Sequence, residues 1–251
     1  YAISYDNTNA PNFGGITTEA HSGGKVILTL TGKTDFTAVK EWLDPAGSER
    51  PEGTFELWRY RKGQSFTTAA PVRDDTGLIL TAKLDPSQNT QEISFTDLEK
   101  YDPDGYQYIY VIREYLEGEH AGHYDQVFGK VEADGSIIDT VAGDGTREER
   151  NTYVYDGGTL SNRRNDTVTV SVRKDWKAAA FQADFQDVAV TMQLQSRVKG
   201  TEDPWTDTDT VISMSEFYSE HLYDTAQATV PKYDVQGQEL EYRWVETGVY
   251  Q

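Results

Sequence analysis

A lysine and a glutamate lie in strand-like runs at positions where apolar residues are expected. Lys40 precedes Trp42 by two residues, so the two side chains share one face of a strand, and that face is otherwise apolar. By the same alternation, Glu114 shares a face with Tyr110 and Ile112. Because lysine is seldom buried without a partner, the ordinary explanations are a buried ion pair of these two groups or strands whose inner and outer faces are exchanged.

The same pair recurs in the second half of the chain, where Lys174 precedes Trp176 by two residues and Glu246 shares a face with Trp244. Three phrases repeat in the same order, roughly 130 residues apart. They span residues 39–42 and 173–176, 98–102 and 230–234, and 110–114 and 242–246. This recurrence predicts a tandem repeat in which each copy directs one lysine and one glutamate into its core.

Strand signals dominate between these phrases. Period-2 runs such as residues 55–58 and 168–172 alternate with clusters of Gly, Asp, Asn and Pro about every ten residues. Helical candidates are confined to residues 213–222, and residues 95–98 indicate a short turn before a strand. The predicted fold class is all-β, with tandem Greek-key, immunoglobulin-like β-sandwich modules in a rod-like array.

The repeat also predicts the domain boundaries. Residues 33–166 are expected to form a complete β-sandwich with a long tail insertion before its closing strand. Residues 167–251 are expected to form a second sandwich whose closing strand is absent from this sequence, and residues 1–32 the C-terminal part of a preceding module. In the predicted closing strand of the first module, Asn162 lies on the same inward face as Leu160. This adds an amide to the buried lysine and glutamate.

The charge of the chain excludes several classes of partner. Its 251 residues carry a formal net charge of −19, so the surface repels phosphate backbones and anionic membranes. Neither nucleic acids nor anionic membrane surfaces are therefore predicted as partners. Membrane insertion is not predicted either, because no stretch approaches the apolar length of a membrane-spanning helix. The sequence contains no cysteine, so disulfides cannot brace its modules. It also carries no nucleotide-binding or common hydrolase motif, and no cofactor is predicted.

Two short patterns are compatible with a metal site, but neither predicts one. His120 and His123 lie in a Gly-rich stretch without an evident third ligand, which favours a solvated loop. Residues 102–105 carry two aspartates and a glycine. The full pattern of a calcium-binding loop is missing there, and a turn explains these residue types. No metal is therefore predicted.

Four features together resemble the collagen-adhesin B-type domain of Gram-positive surface proteins and pili. They are the lysine two residues before a tryptophan, the Lys-Tyr-Asp phrase, the Tyr-x-x-x-Glu strand and the closing strand with its asparagine. The resemblance covers residues 33–166 in full and residues 167–251 in part. It implies a spontaneous intramolecular isopeptide bond between Lys40 and Asn162, assisted by Glu114, whose buried acid form donates to the Asn162 carbonyl. Each molecule would react once with itself, so no turnover enzyme is implied.

By the same resemblance, Lys174 and Glu246 form two thirds of a second triad whose acceptor lies outside this chain. The implied function is that of a structural stalk in an extracellular, cell-wall-attached adhesin, with the neighbouring modules of the same protein as partners. Two alternatives are a pilus subunit and a ligand-binding adhesin module that recognises a host protein or glycan through residues 120–156. A third is a carbohydrate-active enzyme with paired carboxylates, which the pairing of each glutamate with a lysine disfavours.

Overall fold

The computed structural model describes residues 1–9, 18–131, 137–138, 153–177, 188–215 and 223–250. These residues form β-strands and two short 3₁₀ turns, at Phe66–Thr68 and Ala121–His123, with no α-helix among them. The prediction of an all-β fold built of β-sandwich modules is confirmed. Within this part of the chain, no helix has the length and apolar character needed to cross a membrane.

The strands are numbered in chain order. Those up to residue 164 are β1 (Ala2–Asp6), β2 (Lys25–Thr29), β3 (Lys33–Leu43), β4 (Glu52–Arg61), β5 (Ala70–Pro71), β6 (Thr81–Lys83), β7 (Thr90–Glu99), β8 (Tyr108–Glu117), β9 (Tyr124–Phe128), β10 (Lys130–Val131), β11 (Ile137–Ile138), β12 (Val154–Tyr155) and β13 (Gly158–Arg164). The later strands are β14 (Thr167–Asp175), β15 (Ala189–Val198), β16 (Thr206–Met214), β17 (Tyr223–Pro231) and β18 (Leu240–Tyr250).

Two sheets face each other between residues 33 and 164. One has the strand order β7-β3-β13-β9 and the other the order β12-β8-β4-β5, with β6 also paired to β4. The closing strand β13 runs parallel to β3 and antiparallel to β9, so the first and last strands of this region are direct neighbours. Residues from both sheets form one apolar core. Its members include Phe36 and Leu160 from one sheet and Phe55 and Ile112 from the other.

The alternation of β3 decides which of its side chains enter this core. Alternate residues from Phe36 to Trp42 are buried, and the residues between them are more exposed. In β8 the alternation is broken, because Val111 on the outer face is buried as well. There it packs with Tyr153 and Tyr155 in a second apolar cluster. Part of the predicted tail insertion therefore covers the outer face of the second sheet.

The turn predicted at residues 95–98 is wrong, because these residues lie inside strand β7. The pairing of β7 with β3 shifts its register between Thr34 and Phe36, and Asp97 lies at this irregularity with a φ of 60°. The backbone N–H of Asp97 donates to Asp35 Oδ1 at 3.0 Å. A β-bulge, which bends a strand without ending it, explains the turn-like residue types.

The strands after residue 166 pair among themselves. β14 pairs with β17, and β15 lies between β16 and β18. A smaller core joins these two sheets and includes Val172, Val190, Met192, Met214 and Trp244. In the described part of the chain, β1 and β2 pair only with each other. The predicted domain boundaries lie between these groups of strands and stay a prediction. Of the predicted helical segment, residues 213 and 214 end β16, and residues 216–222 lie outside the described residues.

The two copies share local contacts as well as sequence phrases. The Tyr110 hydroxyl donates to the Glu99 carbonyl at 2.6 Å, and the Tyr242 hydroxyl donates to the Pro231 carbonyl in the second copy. In each copy this hydrogen bond connects the strand that carries the glutamate of the Lys–Glu pair to the end of the preceding strand. The repeat predicted from the sequence is therefore also a repeat of structure.

Replacing Tyr110 with phenylalanine removes this hydrogen bond and keeps the ring. Because a typical intramolecular hydrogen bond contributes about 0.5–1.5 kcal/mol, the Tyr110→Phe variant is expected to lose about 1 kcal/mol of unfolding free energy in urea titrations. Tyr108→Phe is the matched control, since Tyr108 is only half-buried and contacts Tyr110 through its ring. Equal losses in the two variants would contradict the role assigned to the Tyr110 hydroxyl.

Candidate functional site

The three residues predicted for the first copy meet inside the sandwich. Lys40 in β3 and Asn162 in β13 project from neighbouring strands of one sheet, and Glu114 projects from β8 in the facing sheet. Lys40 Nζ lies 3.8 Å from Glu114 Oε1, and Asn162 Nδ2 donates to Glu114 Oε2 at 2.9 Å. The relative exposures are 1% for Lys40, 8% for Glu114 and 0% for Asn162. The glutamate therefore connects the lysine and the asparagine within a core that excludes water.

Burial controls the protonation of this contact. Removal from water disfavours the ammonium form and lowers the pKa of Lys40 to about 7, although the nearby Glu114 carboxylate opposes that shift. Burial also raises the pKa of Glu114, against the opposing effects of Lys40 and of the amide groups that donate to the carboxylate. The site can hold a charged pair (ammonium and carboxylate) or a neutral pair (amine and acid). The free energies of these two forms therefore differ less here than they would in water.

Two further contacts hold the Lys40 amine. Its Nζ donates to the backbone carbonyl of Glu41 at 2.8 Å and lies 3.5 Å from the centre of the Trp42 ring. The Trp42 ring is itself fixed by an edge contact with Tyr124, whose ring centre is 4.9 Å away. Because an aromatic face attracts a cation, Trp42 partly offsets the desolvation of the ammonium and fixes the position of the nitrogen.

Gln126 is a site residue that the sequence pattern does not predict. It lies on the edge strand β9 directly opposite Asn162, and its Nε2 donates to Glu114 Oε2 at 3.1 Å. Oε2 thus accepts from two amides, whereas Oε1 faces the lysine and accepts no hydrogen bond within the described residues. Residues 124–128 fall in the predicted tail insertion, where neither a strand nor an inward side chain is predicted.

The direction of the hydrogen bond between Asn162 and Glu114 differs from the one that the family resemblance implies. The resemblance implies that the acid form of Glu114 donates to the Asn162 carbonyl. In the structure the Asn162 Nδ2 donates instead, and Asn162 Oδ1 accepts no bond from the part of the chain that is described. This direction suits an ionised carboxylate. A half-turn of the amide about the Cβ–Cγ bond would present Oδ1 to a protonated Glu114.

The second predicted pair also comes together, but it is not enclosed. Lys174 Nζ lies 2.7 Å from Glu246 Oε2 and 4.5 Å from the centre of the Trp176 ring. The side-chain exposures of Lys174 and Glu246 are 23% and 38%, so the expectation that both enter a core is not met by Glu246. Among the described strands β14 pairs only with β17, and none lies beside Lys174 as β13 lies beside Lys40.

The two short patterns weighed as metal sites make local contacts in the structure. His123 Nδ1 lies 2.6 Å from Asp166 Oδ1, and His120 Nε2 lies 3.4 Å from Glu49 Oε2. Asp102 caps its own turn by accepting from two backbone N–H groups. Over the described residues, no three metal-ligating side chains meet in one group.

One family model matches part of the chain. Residues 36–140 match the family model described as "Cna protein B-type domain". The match confirms the resemblance over residues 36–140, which include Lys40 and Glu114 but neither Asn162 nor the second copy. Among curated protein sequences, none matches this chain.

The solved structures similar to this chain include a pilus adhesin and a major pilin. The pilus adhesin SpaC from Lactobacillus rhamnosus GG is 15% identical with a TM-score of 0.28, over 78% of this chain and 22% of that protein. The major pilin T-13 from Streptococcus pyogenes is 12% identical with a TM-score of 0.25, over 87% of this chain and 83% of that protein. A leucine-rich repeat protein from Bacteroides thetaiotaomicron is 10% identical with a TM-score of 0.19, over 86% and 24%. The chain thus spans 22% of the length of the pilus adhesin, and similarities at these TM-scores add no argument about function.

The pKa of Lys40 makes a prediction about stability in an Asn162→Ala variant, which keeps the amine free. The folded-state pKa is lowered to about 7 from the ordinary value of 10.5. Between these values the unfolded chain holds a proton that the folded chain has lost, so stability rises with pH. The unfolding free energy should therefore increase from about pH 7 to about pH 9, by at most about 1.4 kcal/mol per pH unit.

Urea unfolding at a series of pH values measures this slope. The matched control adds Lys40→Met to Asn162→Ala, which removes the titrating amine and keeps the length of the side chain. The control should lack the rise with pH. Equal slopes in the two variants would show that Lys40 keeps its ordinary pKa in the folded protein.

Proposed function

We propose that this chain, whose residues 36–140 match the model of the Cna protein B-type domain, is a structural segment of a surface-exposed, cell-wall-attached adhesin or pilus stalk, braced by an isopeptide bond between Lys40 and Asn162. A domain of this family supports a role in a surface adhesin or pilus stalk. The proposal of an isopeptide bond rests on one observation. This is the buried contact of Lys40, Glu114 and Asn162, which links the first and closing strands.

The proposed reaction joins two side chains and releases ammonia. The neutral Lys40 amine attacks Cγ of Asn162, and a new C–N bond forms while the carbonyl oxygen gains negative charge. Glu114 in its acid form, with the amide turned to present Oδ1, donates a proton to that oxygen. Glu114 then takes a proton from the attacking nitrogen and passes one to Nδ2. The Cγ–Nδ2 bond breaks and ammonia leaves. The carbonyl reforms as its hydroxyl proton returns to Glu114, which ends in its acid form.

The burial of the site supports each of these roles. A lowered pKa makes the neutral Lys40 amine available near neutral pH, and a raised pKa makes the acid form of Glu114 available. Gln126 donates to Glu114 Oε2 and leaves Oε1 directed at Lys40, which orients the carboxyl for the transfer. Holding reacting groups in one place lowers a barrier by roughly 7–11 kcal/mol in favourable cases.

The strand arrangement gives such a bond a mechanical role. β3 and β13 are parallel neighbours, with Leu160 opposite Lys40 and Asn162 opposite Trp42. A load that enters at the start of β3 and leaves at the end of β13 would pass through the bond and would bypass the strands between them. The sequence has no cysteine, so the bond would supply the bracing that disulfides provide in other extracellular proteins.

The alternative of a ligand-binding module stays a prediction, because residues 132–136 and 139–152 of its proposed binding segment lie outside the described residues.

Intact-mass measurement followed by peptide mapping tests the proposed bond. The purified chain should be lighter than its sequence mass by one ammonia, and one cross-linked peptide should join Lys40 to Asn162. Glu114→Ala should restore the full mass because the proton donor and acceptor is lost. The matched control is Glu92→Ala, which removes an exposed carboxylate of β7 and should keep the reduced mass.

Two outcomes would contradict the proposal. One is a full, unmodified mass in the unchanged chain. The other is a cross-link from Lys40 to a different residue, which would show that the contact with Asn162 is an ordinary hydrogen-bonded cluster.

A further inference from the structure

The turn at residues 234–237, which follows the second Lys-Tyr-Asp phrase, has a shape fixed by its own hydrogen bonds. Asp234 Oδ1 accepts from the backbone N–H groups of Gln236 at 2.9 Å and Gln238 at 2.7 Å. Asp102 makes the equivalent bonds in the first copy. The turn is therefore preformed inside its module and does not need a partner to hold its shape.

The tip of this turn lies directly against the preceding module. Gly237 has a φ of 79°, and a Cβ placed on it would lie 2.2 Å from the backbone carbon of Leu43 and 2.4 Å from the nitrogen of Asp44. Val235 at the tip packs with Leu43 and Val127 in one apolar cluster. Glycine is thus required twice here, because the φ is positive and because two backbones approach each other closely.

The two residues that connect β13 to β14 are held as well. The Asn165 backbone N–H donates to the His123 carbonyl at 3.1 Å, and Asn165 Nδ2 donates to Asp125 Oδ1 at 2.9 Å. Asp166 Oδ1 lies 2.6 Å from His123 Nδ1, and Asp166 Oδ2 accepts from Arg164 Nε at 2.7 Å. The connection is therefore hydrogen-bonded both to the turn at Ala121–His123 and to β9, and it is not a free linker.

A cation–π contact joins the two sides of the same joint. The Arg164 guanidinium lies 5.2 Å from the ring centre of Tyr124 in the first module and 5.7 Å from that of Tyr233 in the Lys-Tyr-Asp phrase. From these contacts we infer that the 234–237 turn is an interaction surface whose partner is the module before it. The joint between the predicted modules, residues 33–166 and 167–251, is thereby held in one geometry.

The first copy shows the same turn in a looser contact. Gly105 has a φ of 84°, and a Cβ placed on it would meet only the Leu30 side chain, at 3.9 Å. This is an ordinary van der Waals distance, so an added methyl group fits there. Gly105→Ala consequently carries the same backbone strain as Gly237→Ala without the collision with a neighbouring backbone, and it serves as the matched control.

Distance measurement between two spin labels tests whether the joint is fixed. The chain has no cysteine, so Ser94→Cys in β7 and Gln227→Cys in β17 place one label on an exposed site of each module. The unchanged joint should give a single narrow distance distribution by pulsed electron spin resonance. Because modules without a tight interface move relative to each other, Gly237→Ala should broaden the distribution at least about twofold, and Gly105→Ala should leave it narrow.

A second variant distinguishes loss of the contact between modules from misfolding of the turn itself. Val235→Asp places a carboxylate against Leu43 and Val127 without changing the backbone of the turn, and it should broaden the distribution in the same way. Circular dichroism checks that both modules stay folded. A broad distribution in the parent chain, or an unchanged narrow one in folded Val235→Asp, would overturn the inference. Neither result bears on the bond between Lys40 and Asn162, which the mass measurement tests separately.

Discussion

The cost of burying an amine and a carboxyl group side by side is the constraint on which the rest of this structure depends. Lys40 and Glu114 are almost completely removed from water, and an unpaired charge in such a place costs several kcal/mol. The contact persists because each group has partners. The Trp42 ring faces the amine, and the amides of Asn162 and Gln126 donate to the carboxylate. Supplying these partners requires β3, β13 and β9 to pair in register and β8 to face them from the other sheet, so the topology and the site depend on each other.

The two copies show what the closing strand contributes. Lys174 and Glu246 repeat the pair of Lys40 and Glu114, yet their contact is partly open to solvent because no described strand lies beside β14 as β13 lies beside β3. Without that strand the pair is an ordinary surface ion pair, which contributes little to stability. With it, the pair is desolvated and placed next to an amide. An isopeptide bond would then replace the Lys40 amine and the Asn162 side-chain amide with one neutral secondary amide, and Glu114 would keep its carboxyl group.

Strand alternation and the repeat predict the inward direction of Lys40 and Glu114, because side-chain direction in a strand is a local property with a period of two. Other features depend on contacts between distant segments, and the local pattern does not contain them. Gln126 enters the site through an edge strand in a segment predicted as a tail, and Val111 is buried because the chain returns over the outer face. The close approach of Gly237 to the preceding module likewise cannot be predicted from its turn motif, because the equivalent turn in the first copy makes only a loose contact.

Stretching single molecules from end to end tests most directly the claim that tension bypasses the interior of the first sandwich. A bond between residues 40 and 162 closes a loop of about 120 residues, which at about 3.6 Å each would otherwise add roughly 430 Å of length on unfolding. The unchanged chain should lack this extension, and Glu114→Ala should gain it. Extension of the unchanged chain by the full length would contradict the covalent brace, and the buried contact would then be a structural ion pair.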